Sequence, residues 1–203
     1  MLLIACVACS AREENALLGN TRVLKLDGSG VTASGIYLAG DDGERLLTLV
    51  SSPGVERLNI GYIPGGNALV GFKLLAALAG KKVVITGPCA SACANGVTDA
   101  ASVSFAPTKV GEMPPMMIFH GLFRQAGDRI ENATEANKLY AKRMKKRFPY
   151  LEIEDLEEAL TYPMAGISGL VVAPSPSGGL DFSLCQPWPE KCRTIHHVQQ
   201  DFL

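Results

Sequence analysis

Arg57-Leu58-Asn59-Ile60-Gly61-Tyr62-Ile63-Pro64-Gly65-Gly66-Asn67, followed by the apolar run Ala68 to Ala79 and a stop at Gly80, is the stretch that decides the fold. Residues 57–63 alternate at period two, which predicts a strand. Pro64-Gly65-Gly66 breaks it, and Asn67 is placed to cap the helix that follows. A helix so apolar has to be packed on most of its surface, against a sheet or a subunit partner. The pattern then repeats. Lys82 to Thr86 reads as a β-branched strand, Gly87-Pro88 as a turn, and Ala90 to Ala100 as a helix of small residues. Val103 and Phe105 mark a further strand, and Met116 to Phe119 another that ends in His120. Strand, glycine turn and helix in regular succession are the signature of parallel βαβ units.

Working outward, Thr21 to Leu26 and Ser34 to Leu38 are expected to be short strands, and Glu44 to Val50 a helix stopped by Ser51-Ser52-Pro53-Gly54. Beyond His120 the texture changes. Glu131 to Phe148 is expected to be a polar amphipathic helix, Ile153 to Leu160 a second helix, and Leu180 to Leu203 a loop-rich tail. The expected class is therefore α/β: a parallel sheet of repeated βαβ units, a C-terminal helical region and a loop-rich tail. The expected segments are a terminal export or anchor segment at 1–20, an α/β domain at 21–175 and a tail at 176–203.

Composition narrows the function. The chain has 203 residues, 47% of them hydrophobic, so it can bury a sizeable core. Its 19 basic and 20 acidic residues nearly cancel, which removes the electrostatic reason to expect nucleic acid. The basic run Lys142-Arg143-Met144-Lys145-Lys146-Arg147 falls on a predicted helix with Glu131 and Glu135 and reads as a solvated face, with membrane-surface contact as the sharper alternative. The 6 cysteines fall in close pairs, Cys6/Cys9, Cys89/Cys93 and Cys185/Cys192. Such pairs favour local disulfides in an oxidising compartment. No metal site is expected, because the adjacent His196 and His197 would point apart on a strand.

Three features stand at the C-terminal ends of predicted strands, where open parallel sheets bind ligands. Gly65-Gly66 lets backbone approach a substrate closely and can aim N–H groups at a developing oxyanion. Ser91 stands at a helix start within Gly87-Pro88-Cys89-Ala90-Ser91-Ala92-Cys93, among small residues that leave room for an acyl group. His120 follows an apolar strand and can take a serine proton and return it to a leaving group. Taken singly, each has a plainer reading: a tight turn, an N-cap and a core histidine.

From Leu58 to Gly121 the chain resembles the Clp protease proteolytic subunit and its relatives, the signal-peptide peptidases and periplasmic Clp-like proteins. The resemblance rests on Ile63-Pro64-Gly65-Gly66, on Gly87-Pro88-Cys89-Ala90-Ser91-Ala92 and on Ile118-Phe119-His120. The Cys-Ala-Ser-Ala-Cys form is similar to the exported members. The resemblance implies Ser91 as nucleophile, His120 as base, and the N–H groups of Gly66 and Ala92 as the oxyanion hole. It also implies a peptide or unfolded-protein substrate, a homo-oligomer and no cofactor. The chain departs from the family pattern at Ile63, where a serine is expected, and in the stretch 110–115, which reads as an insertion. The third triad member has no clear counterpart; Asp128, Asp155 and Glu158 are candidates on position alone. Leu3-Ile4-Ala5-Cys6 resembles a bacterial lipobox, so Cys6 is a candidate lipid anchor and a periplasmic or membrane-anchored location is expected.

Three other readings compete with a serine peptidase. A crotonase-like acyl-CoA enzyme shares the fold but needs no Ser/His pair. An esterase with the order Ser91, Asp181, His196 or His197 should carry Gly-x-Ser-x-Gly, which this chain lacks. A non-catalytic binding or assembly module accounts for the missing acid but not for Ser91 and His120.

Overall fold

The computed structural model describes residues 22–108, 111–126, 129–161, 169–186, 191–200 and 203. They form a mixed α/β protein whose chain divides after Met117 into two compact units, with Leu203 belonging to the first.

In the first unit, β1 (Val23–Asp27) and β2 (Gly30–Ser34) form an antiparallel hairpin. Helix α1 (Gly40–Val50), β3 (Arg57–Ile60), α2 (Ala68–Ala77), β4 (Lys82–Ile85), β5 (Pro88–Ala90), α3 (Ala92–Val97) and β6 (Ser102–Phe105) follow. One sheet runs in the order β1-β2-β3-β4-β6, and β2, β3, β4 and β6 are mutually parallel. The period-two strands put alternate residues on one face. Val31, Leu58, Val83 and Val103 line up across the four strands, and all are buried. Each such side chain removed from water contributes about 1.5–3 kcal/mol, so this row and its neighbour Ala33, Ile60 and Ile85 form the core of the unit. Asn67 caps α2 as expected, its side chain accepting from Leu69 N–H at 2.8 Å.

Two expectations shift here. The strand expected at Ser34–Leu38 ends at Ser34, because Gly35 has φ +61° and turns the chain out of the ladder. The turn expected at Gly87-Pro88 is instead the start of β5, where a proline is tolerated as the first strand residue. The helix after it is correspondingly shorter than 90–100.

Strand β7 (Met116–Phe119) crosses the division, and Ile118 and Phe119 belong to the second unit. There β8 (Phe123–Ala126) and β9 (Arg129–Asn132) form an antiparallel hairpin, followed by α4 (Thr134–Arg147) and α5 (Ile153–Ala159). The expected helix start at Glu131 moves to Thr134 because Glu131 and Asn132 pair with Arg124 and Phe123 in that hairpin.

The expected loop-rich tail is the larger correction. β10 (Gly169–Pro174), β11 (Leu180–Cys185) and β12 (Cys192–Val198) form an antiparallel ladder. Leu180, Phe182 and Leu184 alternate into the core while Asp181 and Ser183 do not. Phe148 from the end of α4 meets Phe119 and Phe182 edge-on at 6.0 and 5.4 Å, which fixes the centre of this unit. Cys185 and Cys192 stand opposite each other in the ladder and are joined by a disulfide.

Candidate functional site

Ser91 joins β5 to α3 through a sharp turn. Its φ of 56° makes it the one non-glycine residue with positive φ among the described residues. Its ψ of −120° also lies far from the small left-handed helical well. Such a conformation costs about 1–3 kcal/mol and persists only where the surroundings enforce it. Here they do so from both sides. Cys89 on β5 and Cys93 on α3 are fully buried and form a disulfide that spans the serine. The Ser91 carbonyl also accepts from Asn95 N–H at 3.0 Å, which anchors the first helical turn.

The plain reading of Ser91 as an N-cap is not what the geometry shows. Its side chain makes no capping hydrogen bond. It is half-buried, and its hydroxyl has no hydrogen-bond partner among the described residues of its own unit. A serine on a strained strand-to-helix turn with an uncommitted hydroxyl is the arrangement that presents a nucleophile.

The Ile63-Pro64-Gly65-Gly66 segment runs beside β5. Ile63 N–H donates to Pro88 O and Ala90 N–H donates to Ile63 O, each at 2.9 Å, forming a parallel bridge between Ile63 and Cys89. Ile63 is fully buried, so an apolar side chain suits its position. On the other side, Leu38 N–H donates to Gly65 O and Asn67 N–H to Leu38 O, both at 2.8 Å. This pinning holds Gly65 and Gly66 at φ 128° and 150°, values that L side chains rarely adopt. A Cβ on Gly66 would lie 2.4 Å from the Leu38 carbonyl oxygen. The N–H groups of Gly66 and Ala92 have no hydrogen-bond partner among the described residues. The first unit thus brings together Ser91, Gly66, Ala92 and the Cys89–Cys93 disulfide.

His120 belongs to the second unit, at the end of β7. It is half-buried, and its ring stacks on Phe123 with centroids 5.9 Å apart and planes at 22°. Its Nδ1 lies 2.8 Å from the Gly121 carbonyl oxygen. Desolvation holds its pKa below the ordinary 6.5, opposed by that hydrogen bond, so it is neutral at neutral pH. A neutral imidazole is the form that accepts a proton.

Of the acids named from sequence, Asp155 and Glu158 both bind Arg193, at 3.1 and 3.4 Å. Asp128 and Cys6 lie outside the described residues. Asp181 pairs with His197 across β11 and β12, Nδ1 to Oδ1 at 2.7 Å, while His196 stacks on Tyr150 at 4.7 Å. Sequence reasoning missed Asn137, a buried helix residue whose amide grips the backbone of Leu122. No sequence signal separates it from a surface asparagine on a polar helix.

No protein-family model, curated protein or solved structure matches the chain.

Proposed function

We propose that the chain is an ATP-independent serine hydrolase acting on peptides, with Ser91 as nucleophile and His120 as general base. The observation that carries this reading is the backbone of Ser91, strained at positive φ and braced by a disulfide across it. Strain at a side chain that caps nothing and fills no core position has a use when that side chain reacts. In the reaction, Ser91 Oγ attacks the scissile carbonyl and His120 Nε2 takes its proton. The oxyanion of the tetrahedral intermediate is held by the N–H groups of Gly66 and Ala92. His120 then gives its proton to the leaving amine, and water releases the acyl group by the reverse sequence.

The resemblance to Clp-type peptidases supports the same assignment, and the parallel sheet of the first unit fits it. The disulfides support an oxidising compartment, consistent with an exported protein. The reading is tested by hydrolysis of fluorogenic peptides and of a small activated ester. Activity on either substrate that disappears in Ser91→Ala and in His120→Ala supports it. Equal activity in all three proteins would refute it, and a folded protein inert to every substrate would favour a binding module on this scaffold.

A further inference from the structure

Resting on the serine-hydrolase reading, we propose that the peptide group between Gly121 and Leu122, held by Asn137, sets the tautomer and orientation of His120, the orienting task that a carboxylate performs in a Ser-His-Asp triad. The Gly121 carbonyl oxygen is 2.8 Å from His120 Nδ1. A carbonyl can only accept, so Nδ1 carries the proton and Nε2 keeps its lone pair. That is the tautomer a general base needs, and setting it is one task of a triad acid.

The other end of the same peptide group is also held. Leu122 N–H donates to Asn137 Oδ1 at 2.6 Å. Asn137 Nδ2 donates to the Leu122 carbonyl at 3.0 Å and to Asn132 Oδ1. Ala133 N–H adds a further bond to the Leu122 carbonyl at 3.0 Å. The peptide plane therefore cannot rotate its carbonyl away from His120 without breaking the Leu122 N–H bond. Gly121 allows this fit, since a Cβ there would lie 2.0 Å from the Leu160 carbonyl oxygen.

Asn137 is 6% exposed in α4, and burial of an amide is costly unless its polar atoms are paired. Its hydrogen bonds serve the segment that follows His120 and Asn132, just ahead of the helix. Hydrogen bonds in series through one amide also reinforce one another, so donation to Asn137 strengthens the Gly121 carbonyl as an acceptor. The proton count is simple. Ser91 gives its proton to Nε2, Nδ1 keeps its own, and the peptide group neither gains nor loses one. Asn137 is a positioning residue, acting through the backbone and touching no substrate.

The test combines long-range proton–nitrogen NMR of the histidines in the full chain with the rate of fluorophosphonate labelling. His120 should be the Nδ1–H tautomer in the native protein. Asn137→Ala should mix the tautomers and slow labelling roughly ten- to hundredfold, the range expected for a displaced catalytic group. Asn137→Asp keeps an acceptor for Leu122 N–H but sets a carboxylate oxygen against the Leu122 carbonyl, so it should recover the tautomer and the rate only in part. A native Nε2–H tautomer would overturn the proposal, as would a folded Asn137→Ala protein with native tautomer and rate. If Asn137→Ala does not fold, the native tautomer and the Asp variant decide. If the tautomers behave as expected but the native protein is never labelled, the positioning stands and the hydrolase reading fails.

Discussion

Gly65 and Ser91 approach so closely that a Cβ on the glycine would lie 2.7 Å from Ser91 Cβ and 3.2 Å from its Oγ. This close approach ties the Pro-Gly-Gly segment sterically to the turn at Ser91.

Gly65→Ala should therefore act on both fold and function. The added methyl meets Ser91 while φ stays at 128°, so about 1–3 kcal/mol of stability should be lost together with labelling of Ser91. Urea unfolding and fluorophosphonate labelling of the same preparation check this. A variant as stable and as readily labelled as the native protein would contradict the packing described.

Ser91→Gly and Ser91→Ala separate strain from chemistry. Both remove the hydroxyl, so neither should be labelled. The glycine relieves the positive φ and should raise stability by about 1 kcal/mol, whereas alanine keeps the strain and should leave stability close to native. Equal denaturant midpoints for the two variants would show that the elbow carries no strain.

The two disulfides should differ in what they support. Each closes a short loop, so removing either should cost about 2–3 kcal/mol. Cys89→Ala with Cys93→Ala should also slow labelling of Ser91, because the bridge spans that residue. Cys185→Ala with Cys192→Ala should leave the labelling rate unchanged under conditions where the protein stays folded. Indistinguishable labelling in the two double variants would remove the bracing role of the first bridge.

Much of this architecture is legible in the sequence, for a physical reason. β3 and β4 each show the burial pattern of a half-exposed strand, and glycine or proline punctuates both. Asn67 caps α2 because the side chain named from sequence has a free helix N–H within reach. β5 was not legible: it is only Pro88–Ala90, and a proline beside a glycine reads as a turn. β11 carries an alternating pattern, but the neighbouring glycines and prolines dominate a local reading, and the polar β12 gives no hydrophobic period. The identities of Ser91, Gly66 and His120 could be read as a motif. The φ of Ser91 and the grip of Asn137 on Leu122 could not, because both arise from tertiary contacts.

The environment of His120 sets a pH dependence. Its pKa in the folded protein is below 6.5, while in the unfolded chain it is near that value. Between the two values the unfolded chain binds more protons, so this group's contribution to stability rises with pH there. Stability should thus fall as pH drops from 6.5 toward the folded pKa, and the slope should disappear in His120→Gln. The acid limb of the labelling rate should likewise lie below pH 6.5. An acid limb above 6.5 would contradict the desolvated, neutral imidazole.

Self-association is expected through α2. Leu69 and Phe72, three residues apart on one side of that helix, are 61% and 40% exposed. Light scattering should show an oligomer for the native chain and a smaller species for Leu69→Asp with Phe72→Asp. A monomeric native protein would leave that face without the proposed role.

The most direct test of the central claim is labelling of the native protein with a fluorophosphonate, with the modified residue located by peptide mass spectrometry. One covalent adduct is expected, on Ser91, absent from Ser91→Ala and strongly reduced in His120→Ala. A folded native protein that stays unlabelled, or an adduct on another residue with Ser91 untouched, would contradict it.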